Sequence, residues 1–121
     1  MQYQIGTKTY SCPLLLTLET ISGKWKGVII WFLLEQGILR FSELKEKINA
    51  ATKITDKMLI QCLRELEQDN IVSRKVYQVV PPKVEYSLTH SGKKLRSIFD
   101  CLVQFGLSHL VQEKIKINEE N

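Results

Sequence analysis

Lys57, Gln61 and Arg64 are separated by four and then three residues, so on a helix their ammonium, amide and guanidinium groups share one side. Leu59, Leu63 and Leu66 fall on the opposite side, with Cys62 at their edge. One side can be packed while the other meets a partner. An α-helix fits the DNA major groove of about 12 Å, where Lys and Arg donate to guanine and a Gln amide pairs with the adenine edge. Lys57, Gln61 and Arg64 are therefore candidate base readers. The plainer alternatives are that Lys57 meets only phosphate, that Gln61 is solvated, and that Arg64 pairs with Glu65 or Glu67.

Further basic residues follow. Arg74, Lys75 and Lys83 lie in two β-rich runs split by Pro81-Pro82, and prolines cannot donate a ladder hydrogen bond, so they mark a hairpin tip. Lys83 is expected at that tip, where a narrow minor groove is most negative. A cross-strand pair of Arg74 with Glu85 competes with a DNA contact, and Tyr77 and Tyr86 are expected to pack. Thr55 and the amides after it can hold a phosphate at a helix start. Ser42 can also touch the DNA backbone, although an N-cap role alone explains it.

Cys12 precedes Pro13 at the start of another helix, where exposed amides stabilise a thiolate and favour reaction with oxidants or electrophiles. An inert, half-buried thiol is the alternative. The three cysteines, Cys12, Cys62 and Cys101, are widely spaced without a Cys-x-x-Cys, which argues against a disulfide framework and a zinc knuckle. Cys62 and Cys101 read as small core residues. No nucleophile elbow, phosphate loop or metal-ligand cluster accompanies Cys12, Ser91, His90 or His109, so neither an enzyme nor a cofactor is expected.

The elements that must position these groups can be read in order. A polar arm, residues 1–11, precedes a helix opened by Cys12-Pro13 and running to about Ile21, where proline at the first helical position has no N–H to leave unpaired. After Ser22-Gly23 a second helix, from about Lys24 to Glu35, carries Trp25, Val28, Ile29, Phe32 and Leu33 at helical spacing. Ser42 caps a short supporting helix with Leu44 and Ile48 inward. The connection Asn49 to Lys53 leads to the Thr55-capped helix, which runs to about Gln68, with Asp56 in its first turn. Ile71-Val72 with Val76 to Val80 form one strand, and the alternating run through Val84, Tyr86 and Leu88 forms the other. Thr89 caps a long final helix bearing Leu95, Ile98, Phe99, Leu102, Val103, Phe105 and Leu110. Residues 113–121 form a frayed tail.

A chain of 121 residues, 44% apolar and 25% charged, has material for one core. The net charge of +4 is unevenly spread: residues 53–96 hold nine Lys/Arg against five Asp/Glu, and residues 97–121 hold two against four. The basic middle suits a polyanion. The most apolar run, Val28 to Leu34, is too short to span a bilayer, and Met1 to Lys8 lacks the order of a secretory leader, so a cytoplasmic protein without membrane association is expected.

Taken in order, Cys12-Pro13, Gly23-Lys24-Trp25, Arg40-Phe41-Ser42-Glu43-Leu44, Lys57-Met58-Leu59, Leu63-Arg64-Glu65-Leu66, the run from Val80 to Thr89 and Gly92 form a pattern. It resembles that of the HxlR-type regulators, bacterial winged-helix transcription factors related to the MarR group, over about residues 12–110. The resemblance implies a mainly α fold with a small β-hairpin wing, a winged helix-turn-helix with terminal dimerisation helices. It further implies a homodimer on a roughly palindromic double-stranded operator, with the fourth helix in the major groove and the wing beside the minor groove. Repression is the commoner outcome in such families, and in several members the matching Cys-Pro cysteine senses oxidants. Two positions depart from the family pattern. Asn49 to Lys53 lacks the glycine common before the recognition helix, and Cys62 stands where a polar or basic residue is frequent.

The domain is expected over residues 12–112. Leu102, Phe105, Leu107 and Leu110 are candidates for a dimer seam with the first helix and the arm, the alternative being a core role. Two other functions fit the same fold: a repressor answering a small molecule in a pocket between the dimer helices, and a winged-helix module that binds protein. The basic recognition face speaks against the second.

Overall fold

A computed structural model describes residues 2–5, 8–10 and 12–111, so the tail expected at 113–121 lies outside the described residues. Two short strands, β1 (Tyr3–Ile5) and β2 (Lys8–Tyr10), pair antiparallel with Tyr3 opposite Tyr10. They lie within the polar arm read from the sequence, which gave no strand there. Then come α1 (Pro13–Ile21), α2 (Lys26–Gln36), β3 (Ile38–Arg40), α3 (Phe41–Ala51) and α4 (Asp56–Gln68). The wing strands β4 (Val72–Tyr77) and β5 (Lys83–Leu88) follow, and then α5 (His90–Lys93), α6 (Arg96–Phe105) and a π-helical turn, Gly106–Val111. Mainly helical, with a three-stranded antiparallel sheet of order β3-β5-β4 beside the β1-β2 pair, the chain has the expected winged-helix architecture.

Leucine and isoleucine spacing decides what is buried. Ile29, Ile30 and Leu33 of α2 meet Leu44 and Ile48 of α3 and Leu59, Leu63 and Leu66 of α4 in one cluster, closed by Val72, Tyr86 and Leu88 of the wing and by Leu95 and Phe99. Burying such side chains contributes about 1.5–3 kcal/mol each. The wing root is thus part of the core.

Several boundaries differ from the sequence reading. Helix α3 begins at Phe41, and its N-cap is Arg40, whose amide donates to Glu43 Oε1 at 2.8 Å. Ser42 is therefore an exposed residue of the first turn and not the cap. Helix α3 also runs on to Ala51, so the connection to α4 shortens to Thr52–Thr55. Asn49 Oδ1 accepts the Ile54 amide at 3.0 Å across that turn, giving it a hydrogen bond in place of the glycine that the family pattern supplies.

The first wing strand is continuous from Val72 to Tyr77, and Val79 and Val80 belong to the turn with Pro81, where the Val80–Pro81 bond is cis. Strand β3 is additional, pairing Leu39 with Tyr86. The single long final helix is instead two helices and a π turn. Thr89 caps only the first, accepting from the Gly92 amide at 2.9 Å.

Helix α4 hands the chain to the wing through a specific terminus. Asn70 is left-handed (φ 59°), the Asn70 amide donates to Glu67 O at 3.1 Å, and the Ile71 amide donates to Leu66 O at 2.9 Å. This paired closure satisfies carbonyls at the helix end, and asparagine tolerates the required backbone better than most residues.

Candidate nucleic-acid interface

The structure brings Lys57, Gln61 and Arg64 together as exposed side chains on α4, opposite the fully buried Leu59 and Leu66 and the nearly buried Leu63. Thr55 caps the helix as expected, its Oγ1 accepting the Met58 amide at 3.2 Å. Asp56 in the first turn forms an ion pair with Lys45 of α3, joining the two halves of the helix-turn-helix.

One contact had only half a signature in the sequence. Gln61 Nε2 donates to Glu65 Oε1 at 3.1 Å, and Glu65 Oε2 lies 2.9 Å from Lys26 Nζ on α2. The i,i+4 spacing of Gln61 and Glu65 is legible. Lys26 comes from a remote helix, and no sequence pattern announces it. Cys62 lies half-buried beside this pair, and burial, then the Glu65 charge, push its thiol pKa up. It packs at the helix edge, as its angular position suggested.

The wing separates its cations. In the β4/β5 register Arg74 is opposite Tyr86 and Lys75 is opposite Glu85, so the Arg74–Glu85 pair considered from sequence is replaced. Since side chains alternate across a strand, Arg74 shares the face of Val72, Val84 and Tyr86, the face turned to the core. Lys75, Tyr77, Lys83 and Glu85 occupy the outer face. There the Lys75 and Lys83 ammonium groups each lie 4.8 Å from the Tyr77 ring centre, and Lys83 Nζ is 3.6 Å from Glu85 Oε2. The Tyr77 hydroxyl first, and Lys83 after it, hold the Glu85 carboxyl below the usual carboxylate range. Lys83 is thus not at the tip. It opens β5 behind a turn made of Gln78 to Pro82, in which Val80 is fully exposed.

Between α4 and the core-side face of the wing runs a cleft of about 490 Å³ with Ile60, Leu63, Val84 and Tyr86 on its walls and Arg64 and Arg74 among its lining. Ile60 is not among the sequence candidates, although the helical period places it beside Arg64; it is exposed and forms part of the cleft wall.

The remaining candidates lie elsewhere. Leu102, Phe105, Leu107 and Leu110 are each at least half exposed on α6 and the π turn, so they are not core residues of the single chain. Leu14, Leu15 and Leu18 are likewise exposed on α1. Cys12 is the half-buried N-cap residue of α1, and Cys101 is exposed, which corrects its reading as a core residue. His90 is exposed at the start of α5, and the His109 ring stacks on Phe105 at 4.7 Å. Among the described residues no His, Cys, Asp and Glu group is arranged to hold a metal ion, and no helix is long and apolar enough to cross a membrane.

A buried-backed fourth helix joined to a two-stranded wing defines a winged helix-turn-helix regulator of the MarR-like kind, a DNA-binding transcription factor and not an enzyme. The chain belongs to the HxlR-like helix-turn-helix family, whose model matches residues 20–114. It is 51% identical over 106 residues to YkvN of Bacillus subtilis (strain 168), an uncharacterised helix-turn-helix transcriptional regulator, covering 88% of this chain and 86% of that protein. Among solved structures it is similar to the redox regulator HypR in its oxidised form, with a TM-score of 0.72 and 45% identity over 81% of this chain and 97% of the other. It is also similar to the reduced transcriptional regulator YodB from Bacillus subtilis, with a TM-score of 0.66 and 36% identity over 78% of this chain and 90% of the other.

Proposed function

We propose that this regulator works in the cytoplasm as a homodimer on a palindromic operator, the two α4 helices entering successive major grooves and the wings lying beside the adjoining minor grooves. The observation that carries this reading is the solvent-facing row of Lys57, Gln61 and Arg64, backed by three buried leucines. Lys57 and Gln61 read base edges. Thr55 and Ser42 meet the backbone at the starts of their helices, and Lys75 and Lys83 add positive charge along the wing.

One monomer reads only a few base pairs, so twofold pairing supplies specificity. The exposed apolar residues Leu102, Phe105, Leu107 and Leu110, with the α1 leucines, are the surface such pairing would cover. Repression follows when the bound dimer occludes a promoter.

Cys12 is the proposed sensor. A peroxide accepting two electrons from the Cys12 thiolate leaves a sulfenic acid and hydroxide, and the polar oxidised sulfur at the α1 cap alters how that helix packs. The similarity to HypR and YodB, whose structures were determined in oxidised or diamide-treated as well as reduced forms, supports this reading.

Genomic footprinting of the protein with and without hydrogen peroxide tests the whole reading. The expected result is a set of dyad-symmetric protected sites whose occupancy falls on oxidation and persists in Cys12→Ser. Sites lacking symmetry would contradict the dimer, and identical loss of occupancy in Cys12→Ser would contradict the sensor.

A further inference from the structure

We infer that the cleft between α4 and the wing seats one sugar-phosphate strand of the bound duplex, with Arg64 and Arg74 as a paired phosphate clamp. This rests on the DNA-binding reading above and reassigns Arg64 from base reader to backbone ligand. The first argument is geometric. Adjacent major and minor grooves are separated by one backbone strand, so a chain with a helix in one groove and a hairpin beside the next must straddle that strand. The concave surface between helix and hairpin is where it runs, and here that surface is the 490 Å³ cleft.

The second argument is the chemistry of the cleft. Arg64 reaches it from α4 and Arg74 from the core-side face of β4, so the two guanidiniums approach from opposite walls. Among the described residues neither is in an ion pair. The wing's lysines, by contrast, are engaged away from the cleft, Lys75 and Lys83 lying against Tyr77, and Lys83 beside Glu85, on the far face of the wing. A guanidinium presents two parallel N–H donors that match two phosphate oxygens, a geometry lysine cannot offer. Between the arginines the walls are apolar, Ile60 and Val84 among them, which suits the C–H surface of a deoxyribose and not the polar edge of a base. Glu67 also lines the cleft, one turn beyond Arg64, and its carboxylate repels a phosphate. The strand is therefore confined to the arginine end.

The test uses a synthetic duplex carrying the site that the protein selects from a random-sequence pool, with single uncharged methylphosphonate linkages walked through one half-site. Neutralising one linkage, or two adjacent ones, is expected to weaken the wild-type protein by about five- to twentyfold and to leave Arg64→Ala/Arg74→Ala unaffected at the same place. Each single arginine variant should also lower the slope of log affinity against log salt by about 0.9. It should weaken binding to the selected site and to calf-thymus DNA alike, and circular dichroism should show the fold intact. Gln61→Ala serves as the contrast, losing affinity for the selected site alone with its salt slope unchanged. The inference is overturned if the double variant stays sensitive to every linkage that matters to the wild type, or if Arg64→Ala loses only the selected site at an unchanged slope. A wild-type protein that binds no duplex overturns the DNA-binding reading itself, a different result from binding without this coupling.

Discussion

Lys26 on α2 and Gln61 on α4 are joined through one carboxylate: Glu65 lies 2.9 Å from the lysine ammonium by one oxygen and accepts the glutamine amide at 3.1 Å by the other. One Gln61 N–H is thereby used, which fixes which way the amide points and leaves its oxygen and second N–H outward. That is the donor and acceptor pair an adenine edge requires. Glu65→Ala is expected to reduce discrimination between the selected site and an unrelated duplex by about three- to tenfold. Lys26→Met should act in the same direction more weakly. Competition binding measures both, and unchanged discrimination in Glu65→Ala would contradict the positioning role.

Stability should follow burial along α4. Leu63→Ala empties a core position and is expected to cost about 2–5 kcal/mol. Thr55→Ala removes only the cap to Met58 and should cost about 1 kcal/mol. Urea unfolding of the two variants gives the comparison, and equal losses would be inconsistent with the packing described.

Gly92 is required where α5 meets the end of α4. A Cβ there would run into the Ile71 carbonyl and lie 3.3 Å from Leu88 Cβ. The Ile71 carbonyl is itself held by the Thr89 amide at 2.9 Å, while Thr89 Oγ1 donates to Asn70 O at 2.6 Å, so the backbone has little room to yield. Gly92→Ala should therefore destabilise by about 1–3 kcal/mol, the usual range for overpacking. Thermal unfolding checks it; a variant as stable as the wild type would show that this junction can give.

The thiols should differ in reactivity. Burial and the Glu65 charge raise the Cys62 pKa, so this thiol stays protonated near neutral pH and should be the slowest of the three to react with iodoacetamide. A thiol whose folded pKa is raised contributes stability that is complete below its unfolded pKa and is lost as pH rises through the folded one. Cys62→Ser should accordingly flatten the alkaline limb of the stability profile. Mass mapping of alkylated cysteines at several pH values would expose an inverted order.

The exposed apolar surface gives a test of assembly. Phe105→Glu places a charge among Leu102, Leu107 and Leu110, none of which is core in the single chain. Sedimentation should then show a monomer, and affinity for a two-half-site duplex should fall by more than tenfold. A dimer that persists would move the seam elsewhere.

The recognition helix was legible because three leucines and three polar residues follow the 3.6-residue period, and Thr55 and Asp56 mark its start. The wing was legible through Pro81-Pro82 and the alternation after Lys83. Strand β3 was not, since three residues show no period and its pairing with β5 joins positions nearly fifty residues apart. Leu95 and Phe99 keep the helical spacing across a break formed by the backbone at Lys94 and Leu95, so the sequence alone predicts one continuous final helix. Candidate contact residues followed from type and spacing. Which face each wing cation takes depended on register, and register placed Arg74 toward α4 and Lys83 against Tyr77.

Hydroxyl-radical footprinting on a duplex selected by the protein from a random pool tests the central claim most directly. The account predicts two protected half-sites related by a dyad and centred about one helical turn apart, both abolished in Lys57→Ala/Gln61→Ala. A footprint that survives this double substitution, or that covers one asymmetric stretch, would contradict it.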